Sequence, residues 1–295
     1  MKQSSVGSVT NPARAKTAGT GPGRIRNALR PASLSFLLLL AGWSGAAAAQ
    51  EEEEGKKEPR RIRVGIGAQL VPAYPGADGH SIGPVVDVSL SRGSKPFGFE
   101  APDESFGPSL IKTGGLEIGP ALNFEGSRTA KDVGADLDKV GFTVEAGAYV
   151  QYAFSEKFRI RTEARKGLGG HEGWTGQAGA DYVARDGDEW LFSIGPRVTW
   201  SNARYHRAYF GVTPAESVRT GLAAYSPGGG IQAVGATAGF LTQITKKWGI
   251  YSYAKYDRLI GDAGRSPVVR VHGSRDQLSG GLALTYTFGG GSRSR

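Results

Sequence analysis

The chain has 295 residues, with 36 Lys or Arg against 27 Asp or Glu, and a formal net charge of +9. It contains 46 Gly and no Cys, which excludes a disulfide scaffold, cysteine-ligated metal sites and a cysteine nucleophile. No apolar run reaches the roughly 18 residues of a membrane-spanning helix, so a helical membrane protein is not predicted.

The N-terminal region carries most of the excess charge. Residues 1–49 contain six basic residues and no acidic one, namely Lys2, Arg14, Lys16, Arg24, Arg26 and Arg30. Because the excess lies in one tail, the basic balance does not indicate a nucleic-acid partner. The apolar core Leu34–Ala41 precedes the small residues Ala46–Ala49, which predicts a secretory signal peptide over residues 1–49. The charged stretch 50–61 is then predicted to be a flexible periplasmic arm.

The mature chain shows apolar and polar residues in alternation, for example over residues 142–154. Alternation with a period of two predicts β-strands with one apolar and one polar face. Twelve strands are predicted, with a ten-stranded sheet as the alternative because the third and fourth are the least regular. The predicted strands span roughly residues 62–70, 83–91, 96–101, 106–111, 115–124, 141–154, 157–167, 173–185, 188–200, 231–244, 248–260 and 277–288.

Two architectures fit such strands, a soluble sandwich and a membrane barrel. Several predicted strands are ten to thirteen residues long and carry aromatic residues at their ends, such as Trp190 and Trp200, as expected for a tilted span with interfacial girdles. The predicted fold class is therefore an all-β, transmembrane, antiparallel up-and-down β-barrel over residues 62–288, with a flexible tail at 289–295. Short turns would face the periplasm, and long links such as 201–230 would face outward.

Charged residues fall on the polar faces and are predicted to point into the barrel. The candidate lumen charges are Arg63, Asp87, Glu117, Glu145, Arg159, Arg161, Glu163, Arg165, Arg197 and Lys255. The sequence is compatible with two interpretations. The charges form cross-strand ion pairs that fill a narrow barrel, or Arg159, Arg161 and Arg165 form a cationic stripe in a water-filled conduit.

The longest outer link carries four aromatic residues that are candidates for a plug or for contact with a partner, namely Tyr205, Tyr209, Phe210 and Tyr225. Links of this length in compact domains are often functional. Folding back over the mouth of the barrel is the favoured interpretation.

Sequence motifs give no support for catalysis. There is no G-x-S-x-G, phosphate-binding loop or HExxH pattern. Histidines that could serve a rim hydrolase are His171 beside Glu172, and His272 near Ser274 and Asp276, but solvated loop histidines are the commoner case. No catalytic residue, metal site or cofactor is predicted.

Several short segments, taken in chain order, carry a family pattern. They are Val64–Ala68 with Tyr74–Gly76, Gly83–Val85, Tyr209–Thr213 with Gly221–Leu222 and Tyr225-x-Pro227-x-Gly229, and Thr285–Phe288. In these segments the chain resembles the MipA/OmpV family of outer-membrane barrel proteins. The resemblance implies an outer-membrane location and a role in binding partners, with no shared catalytic residue. One member of the family is described as a scaffold that joins a murein-cleaving lytic transglycosylase to a murein synthase, and other members are described as surface antigens or adhesins.

The predicted function is thus a non-enzymatic scaffold or interaction protein in the outer membrane of a Gram-negative bacterium. Its partners would be outer-membrane lipid and lipopolysaccharide, together with a murein hydrolase and a murein synthase, and not nucleic acid. A narrow channel for small polar or anionic solutes is the alternative, and a lipid- or murein-modifying enzyme is the third hypothesis.

Overall fold

The computed structural model describes residues 58–289, and most of them lie in β-strands. The eleven strands of this part are β1 (Arg60–Pro72), β2 (His80–Arg92), β3 (Ile111–Thr113), β4 (Leu116–Glu125), β5 (Thr143–Ala153), β6 (Phe158–Leu168), β7 (Trp174–Asp186), β8 (Trp190–Ser201), β9 (Gly230–Gln243), β10 (Trp248–Leu259) and β11 (Asp276–Phe288). The predicted signal peptide, most of the arm at 50–61 and all but the first residue of the tail lie outside the described residues.

The strands present apolar side chains to one face and polar side chains to the other. Ile66 of β1 is exposed, whereas the side chain of Arg63 on the opposite face is buried. In β5, Val150 is exposed, whereas Glu145 on the opposite face is only 1% exposed. A sheet with apolar residues outside and charges inside is the reverse of a soluble sheet. It is the arrangement of a barrel surrounded by lipid.

The strands form one antiparallel sheet with the order β2-β1-β11-β10-β9-β8-β7-β6-β5-β4-β3. The first and last strands of the chain pair directly, with Ile62 opposite Phe288. Phe97, which follows β2, contacts both Arg63 of β1 and Arg185 of β7, which lie far apart in this order. One residue reaches both strands because the sheet curls around it, and the sheet is therefore an up-and-down barrel.

The connections distinguish the two ends of the barrel. Short turns at 114–115, 154–157, 187–189 and 244–247 lie at one end, and long connections at 126–142, 202–229 and 260–275 lie at the other. Outer-membrane barrels keep their short turns in the periplasm. The two ends are accordingly called the periplasmic end and the outer end.

Five short helices lie in the long connections, at α1 (Ala130–Val133), α2 (Ala203–Phe210), α3 (Pro214–Thr220), α4 (Gly261–Arg265) and α5 (Pro267–His272). The start of α3 shows why such short helices form. Thr213 and Glu216 make a reciprocal capping box, and Pro214 occupies the first turn. None of the helices within residues 58–289 is long and apolar enough to cross a bilayer.

Ten of the predicted strands are present, each with ends within three residues of the prediction. The predicted strand at 96–101 is wrong. The one at 106–111 is present only as an isolated bridge between Phe106 and Leu122 and as Ile111, which begins the three-residue β3. The described part therefore contains eleven strands and not twelve. The physical reason is the spacing of Pro96, Pro102 and Pro108, because proline has no N–H to donate to a strand ladder.

Candidate functional site: an occupied barrel interior

Residues 94–109, here called the inner segment, leave the periplasmic end of β2, run inside the barrel and rejoin the wall at Phe106, which pairs with Leu122 of β4. At its start the Phe97 N–H donates to Asp188 Oδ1 at 2.9 Å, and the Phe97 carbonyl accepts from Arg185 Nη1 at 2.8 Å. The guanidinium of Arg63 lies 4.7 Å from the centroid of the Phe97 ring, within cation–π range. Phe97 is 1% exposed and anchors the entry of the segment.

Two acidic residues hold the middle of the inner segment against the wall. A carboxylate oxygen of Asp103 lies 3.0 Å from Arg197 Nε of β8 and 3.2 Å from Lys255 Nζ of β10. Glu104 forms an ion pair with Arg159 of β6. Breaking one partner of a buried pair is strongly unfavourable, so these contacts fix the position of the segment.

The candidate lumen charges lie on the inner face of the wall, and most of them join one network. Along β6, Arg161 Nη2 is 3.3 Å from Glu163, which also pairs with Arg165. Arg165 Nε is 2.9 Å from Glu145 of β5. The members that the structure brings together, including the inner-segment acids, are Asp103, Glu104, Glu145, Arg159, Arg161, Glu163, Arg165, Asp181, Arg197, Lys255 and Asp257.

Three candidate lumen charges lie apart from this network. Arg63 and Asp87 pair with each other across β1 and β2, with 3.6 Å between Arg63 Nε and Asp87 Oδ2. Glu117 lies near the periplasmic end, where its carboxylate accepts from Ser109 at 2.6 Å and pairs with Lys112. The cationic stripe of Arg159, Arg161 and Arg165 is thus neutralised by carboxylates.

His171 lies in the connection between β6 and β7, and its side chain is fully buried. The Gly173 N–H donates to its Nδ1 at 2.9 Å, so the proton of the neutral ring lies on Nε2 and is donated to Glu145 at 3.0 Å. Both ring nitrogens are occupied, which leaves neither to activate a nucleophile. Glu172, the neighbour considered from the sequence, pairs instead with Arg204.

The second histidine candidate gives no catalytic arrangement either. His272 lies at the end of α5 and is half-buried. Asp276 accepts hydrogen bonds from Tyr256 at 2.6 Å and from Arg258 at 2.5 Å. The Ser274 hydroxyl oxygen accepts from the Asp276 N–H at 3.0 Å.

The long connections pack together over the outer mouth and are called the outer cap, comprising residues 73–79, 126–142, 202–229 and 260–275. One of its apolar clusters contains Val140, Tyr205, Tyr209, Phe210, Ala233, Leu259, Ala263 and Val269. A second contains Tyr74, Ala77, Val133, Leu137, Val212, Leu222 and Val268. Arg128 connects the loops, because its guanidinium donates to the carbonyls of Tyr209 at 3.1 Å and Asp138 at 2.7 Å.

The four aromatic candidates of the outer link all lie in this cap. Tyr205, Tyr209 and Phe210 of α2 are buried, with ring centroids of Tyr205 and Tyr209 4.9 Å apart. Tyr225 is half-buried, and its hydroxyl donates to the Asp262 carbonyl at 3.0 Å. The aromatic rings thus fill the outer end, while a different segment, residues 94–109, occupies the interior.

A cavity of about 800 Å³ remains between the inner segment and strands β4 to β7. Its lining includes Phe99, Glu100 and Arg161, and also Ser155 and Glu156 of the turn between β5 and β6. Because that turn belongs to the periplasmic end, the cavity lies in the periplasmic half of the barrel. Within residues 58–289 no group of three His, Asp or Glu side chains could hold a metal ion.

The inner segment is the element that sequence reasoning missed. The sequence does contain a sign of it. Residues 94–109 combine three prolines with the acidic residues Glu100, Asp103 and Glu104, and this pattern lacks the regular alternation of a wall strand. The acids also face a set of inward arginines that the alternation pattern does locate. The fold and interior together define a transmembrane β-barrel whose lumen is partly filled by its own chain.

Residues 64–288 match the sequence model of a family described as MltA-interacting protein MipA, and the chain belongs to this family. It is a protein of the outer membrane of Gram-negative bacteria. No curated protein matches the chain in sequence.

Solved structures that resemble the chain are also outer-membrane proteins. A bacterial polysaccharide outer-membrane secretin shares 9% identity at a TM-score of 0.39, covering 78% of this chain and 98% of its own. An anion-selective porin from Comamonas acidovorans shares 11% identity at a TM-score of 0.33, covering 80% of this chain and 100% of its own. These likenesses are distant, and the family assignment rests on the sequence match.

Proposed function

We propose that this protein is a non-enzymatic scaffold of the envelope that binds murein-remodelling enzymes at the periplasmic end of its barrel. The observation that carries the proposal is the filled interior. The inner segment is paired with the wall through Asp103 and Glu104, and the outer cap packs over the opposite mouth. A barrel blocked in this way is suited to binding partners on its surface and not to conducting solutes through its lumen.

The family name supplies the partner class. MltA-interacting protein names a contact with one murein enzyme, and the family resemblance adds a murein synthase. Such enzymes act on the periplasmic side, where this barrel presents its short turns. The turn between β9 and β10 carries the exposed residues Lys246 and Lys247, and it is one candidate contact.

The test is direct binding of the purified mature barrel to an MltA-type lytic transglycosylase and to a murein synthase by surface plasmon resonance. Reversing charge with Lys246→Glu and Lys247→Glu should weaken binding by roughly tenfold, because rim charges chiefly set association rate and orientation. The matched control reverses an exposed charge at the outer end with Arg204→Glu. No binding of either enzyme, or equal loss with the outer control, would contradict the proposal.

A second candidate function is a narrow channel for small polar or anionic solutes. The observation in its favour is the periplasmic cavity, whose lining includes Arg159 and Arg161. For conduction, the inner segment would have to move, because Glu104 pairs with Arg159 in the structure. Conductance across a planar bilayer tests this candidate.

A further inference from the structure

The cavity in the periplasmic half has the dimensions of a ligand site. Its volume of about 800 Å³ lies within the range of roughly 300–1,000 Å³ that is typical of pockets for small ligands. One side is formed by the inner segment and the other by the inner faces of β4 to β7. The turn residues Ser155 and Glu156 lie at its periplasmic side.

Most charged groups that line this cavity already have partners. Arg159 is bound by Glu104 and Asp181, and Glu117 accepts from Ser109 and pairs with Lys112. The carboxylate of Glu100 differs from these. Within the described part of the chain it makes no hydrogen bond and no ion pair, although the side chain lines the cavity and is exposed to it. Arg63, Arg159 and Arg161 act on this carboxylate electrostatically but lie beyond ion-pair distance, so the cavity offers a carboxylate without a direct partner.

The backbone beside Glu100 is also available. The N–H groups of Gly98, Phe99 and Glu100 have no hydrogen-bond acceptor among residues 58–289. The Phe99 carbonyl is engaged by Arg159 at 3.4 Å, so this stretch is held in place while its donors stay free. Free donors along a chain segment are what an added extended peptide uses for pairing.

We propose that this cavity binds an extended peptide segment that enters from the periplasm and carries a lysine or arginine side chain. The peptide backbone accepts hydrogen bonds from residues 98–100, and its cationic group pairs with Glu100. This assignment rests on the proposed scaffold function, because it gives that scaffold a docking site for a segment of a periplasmic partner.

The first test uses the refolded mature barrel in detergent and two fluorescein-labelled peptides, Gly-Val-Lys-Val-Gly and Gly-Val-Gln-Val-Gly. Fluorescence polarisation should show binding of the lysine peptide at least about tenfold tighter than the glutamine peptide, since one charge-assisted hydrogen bond separates them. Glu100→Gln should remove this preference. Glu189→Gln, which changes an exposed carboxylate in the turn between β7 and β8, should leave it unchanged.

A second variant fills the cavity without disturbing the wall. A Cβ added at Gly98 meets no atom within 4 Å, so Gly98→Trp extends into open space and should abolish binding of the lysine peptide. The matched control is Gly126→Trp at the outer end, where an added Cβ also meets nothing within 4 Å. Heat-dependent gel mobility establishes that both variants fold.

Several outcomes would overturn the assignment. Equal affinity for the lysine and glutamine peptides would contradict it, as would full binding by Gly98→Trp or no binding by the wild-type barrel. If putrescine, a small diamine without a peptide backbone, binds as tightly as the lysine peptide, the cavity recognises a cation and not a peptide, which contradicts the proposal. If the wild-type barrel binds the murein enzymes but not the lysine peptide, this inference alone is overturned. If it binds the lysine peptide but neither murein enzyme, only the proposed function is overturned.

Discussion

The outer and periplasmic ends of this barrel are occupied through different kinds of interaction. The outer end is covered by apolar packing, in which the rings of Tyr209 and Phe210 are fully buried. The periplasmic half is occupied by an irregular segment that ion pairs hold, and it retains a cavity of about 800 Å³. Apolar closure excludes water and ligands, whereas polar occupation leaves groups that recognise a partner. This difference is the reason for proposing that partners bind at the periplasmic end.

The largest effect is expected where the ion pairs of the interior are removed. The chain has no Cys, so Ala101→Cys, a buried position on the inner segment, provides a unique thiol for maleimide labelling. Adding Asp103→Asn and Glu104→Gln removes the carboxylate through which the inner segment pairs with Arg197 and the one through which it pairs with Arg159. Breaking a buried pair costs about 3–5 kcal/mol, so labelling should accelerate by at least about 100-fold.

The control for that experiment is Ala101→Cys together with Glu189→Gln, which removes an exposed carboxylate in the periplasmic turn between β7 and β8. Labelling of the cysteine should then stay slow. Fast labelling in the Ala101→Cys barrel itself would contradict a segment fixed by these pairs.

A smaller but still substantial effect is expected at the outer end. Phe210→Ala removes a fully buried ring from the apolar cluster, which typically destabilises by about 3–5 kcal/mol. Because the cap lies outside the wall, its loops should become sensitive to protease added to intact cells while the barrel keeps its heat-dependent mobility. Val218→Ala changes an exposed residue and should leave cleavage unchanged. Protease resistance in Phe210→Ala would show that the cluster does not hold the cap.

Acid should loosen the outer cap through Glu216. Burial raises the pKa of this carboxyl, but hydrogen bonds from the Thr213 and Asp138 N–H groups outweigh it and hold the pKa below its usual value. A carboxyl with a lowered folded pKa adds stability above its unfolded pKa, and that stability is lost as the pH falls through the folded value.

Glu216→Gln should therefore destabilise the cap near neutral pH by about 1–2 kcal/mol, the size of a lost helix cap. Proteolysis of the cap followed against pH measures this difference. The difference between wild type and Glu216→Gln should shrink as the medium becomes acidic. A difference that stays constant down to low pH would contradict the role assigned to this carboxylate.

The smallest effect is expected at the exposed pair of Arg204 and Glu172. Both side chains are at least half exposed, and such surface pairs contribute about 0–1 kcal/mol. Glu172→Gln should leave protease sensitivity and heat-dependent mobility unchanged within error. A clear loss of cap integrity would mean that the outer end depends on surface charge as well as on packing.

The sequence predicts the wall of the barrel better than it predicts the interior. Ten wall strands follow from period-two alternation, because each residue there faces either lipid or lumen. Alternation also identified Arg159 and Arg197 as inward-facing. It could not reveal the inner segment, since that segment is held mainly by side chains of the wall and pairs with a strand only at Phe106, opposite Leu122 of β4. The burial of His171 was equally hidden, because it depends on Glu145 from a strand distant in sequence from the loop.

Conductance of the refolded mature barrel in a planar lipid bilayer shows whether the chain blocks its own lumen. If the inner segment blocks the lumen, the wild-type barrel, shown to be folded by its heat-dependent gel mobility, passes no current. Current steps should then appear once Asp103→Asn and Glu104→Gln free the inner segment. Discrete, salt-dependent current steps from the wild-type barrel would contradict a lumen blocked by the inner segment.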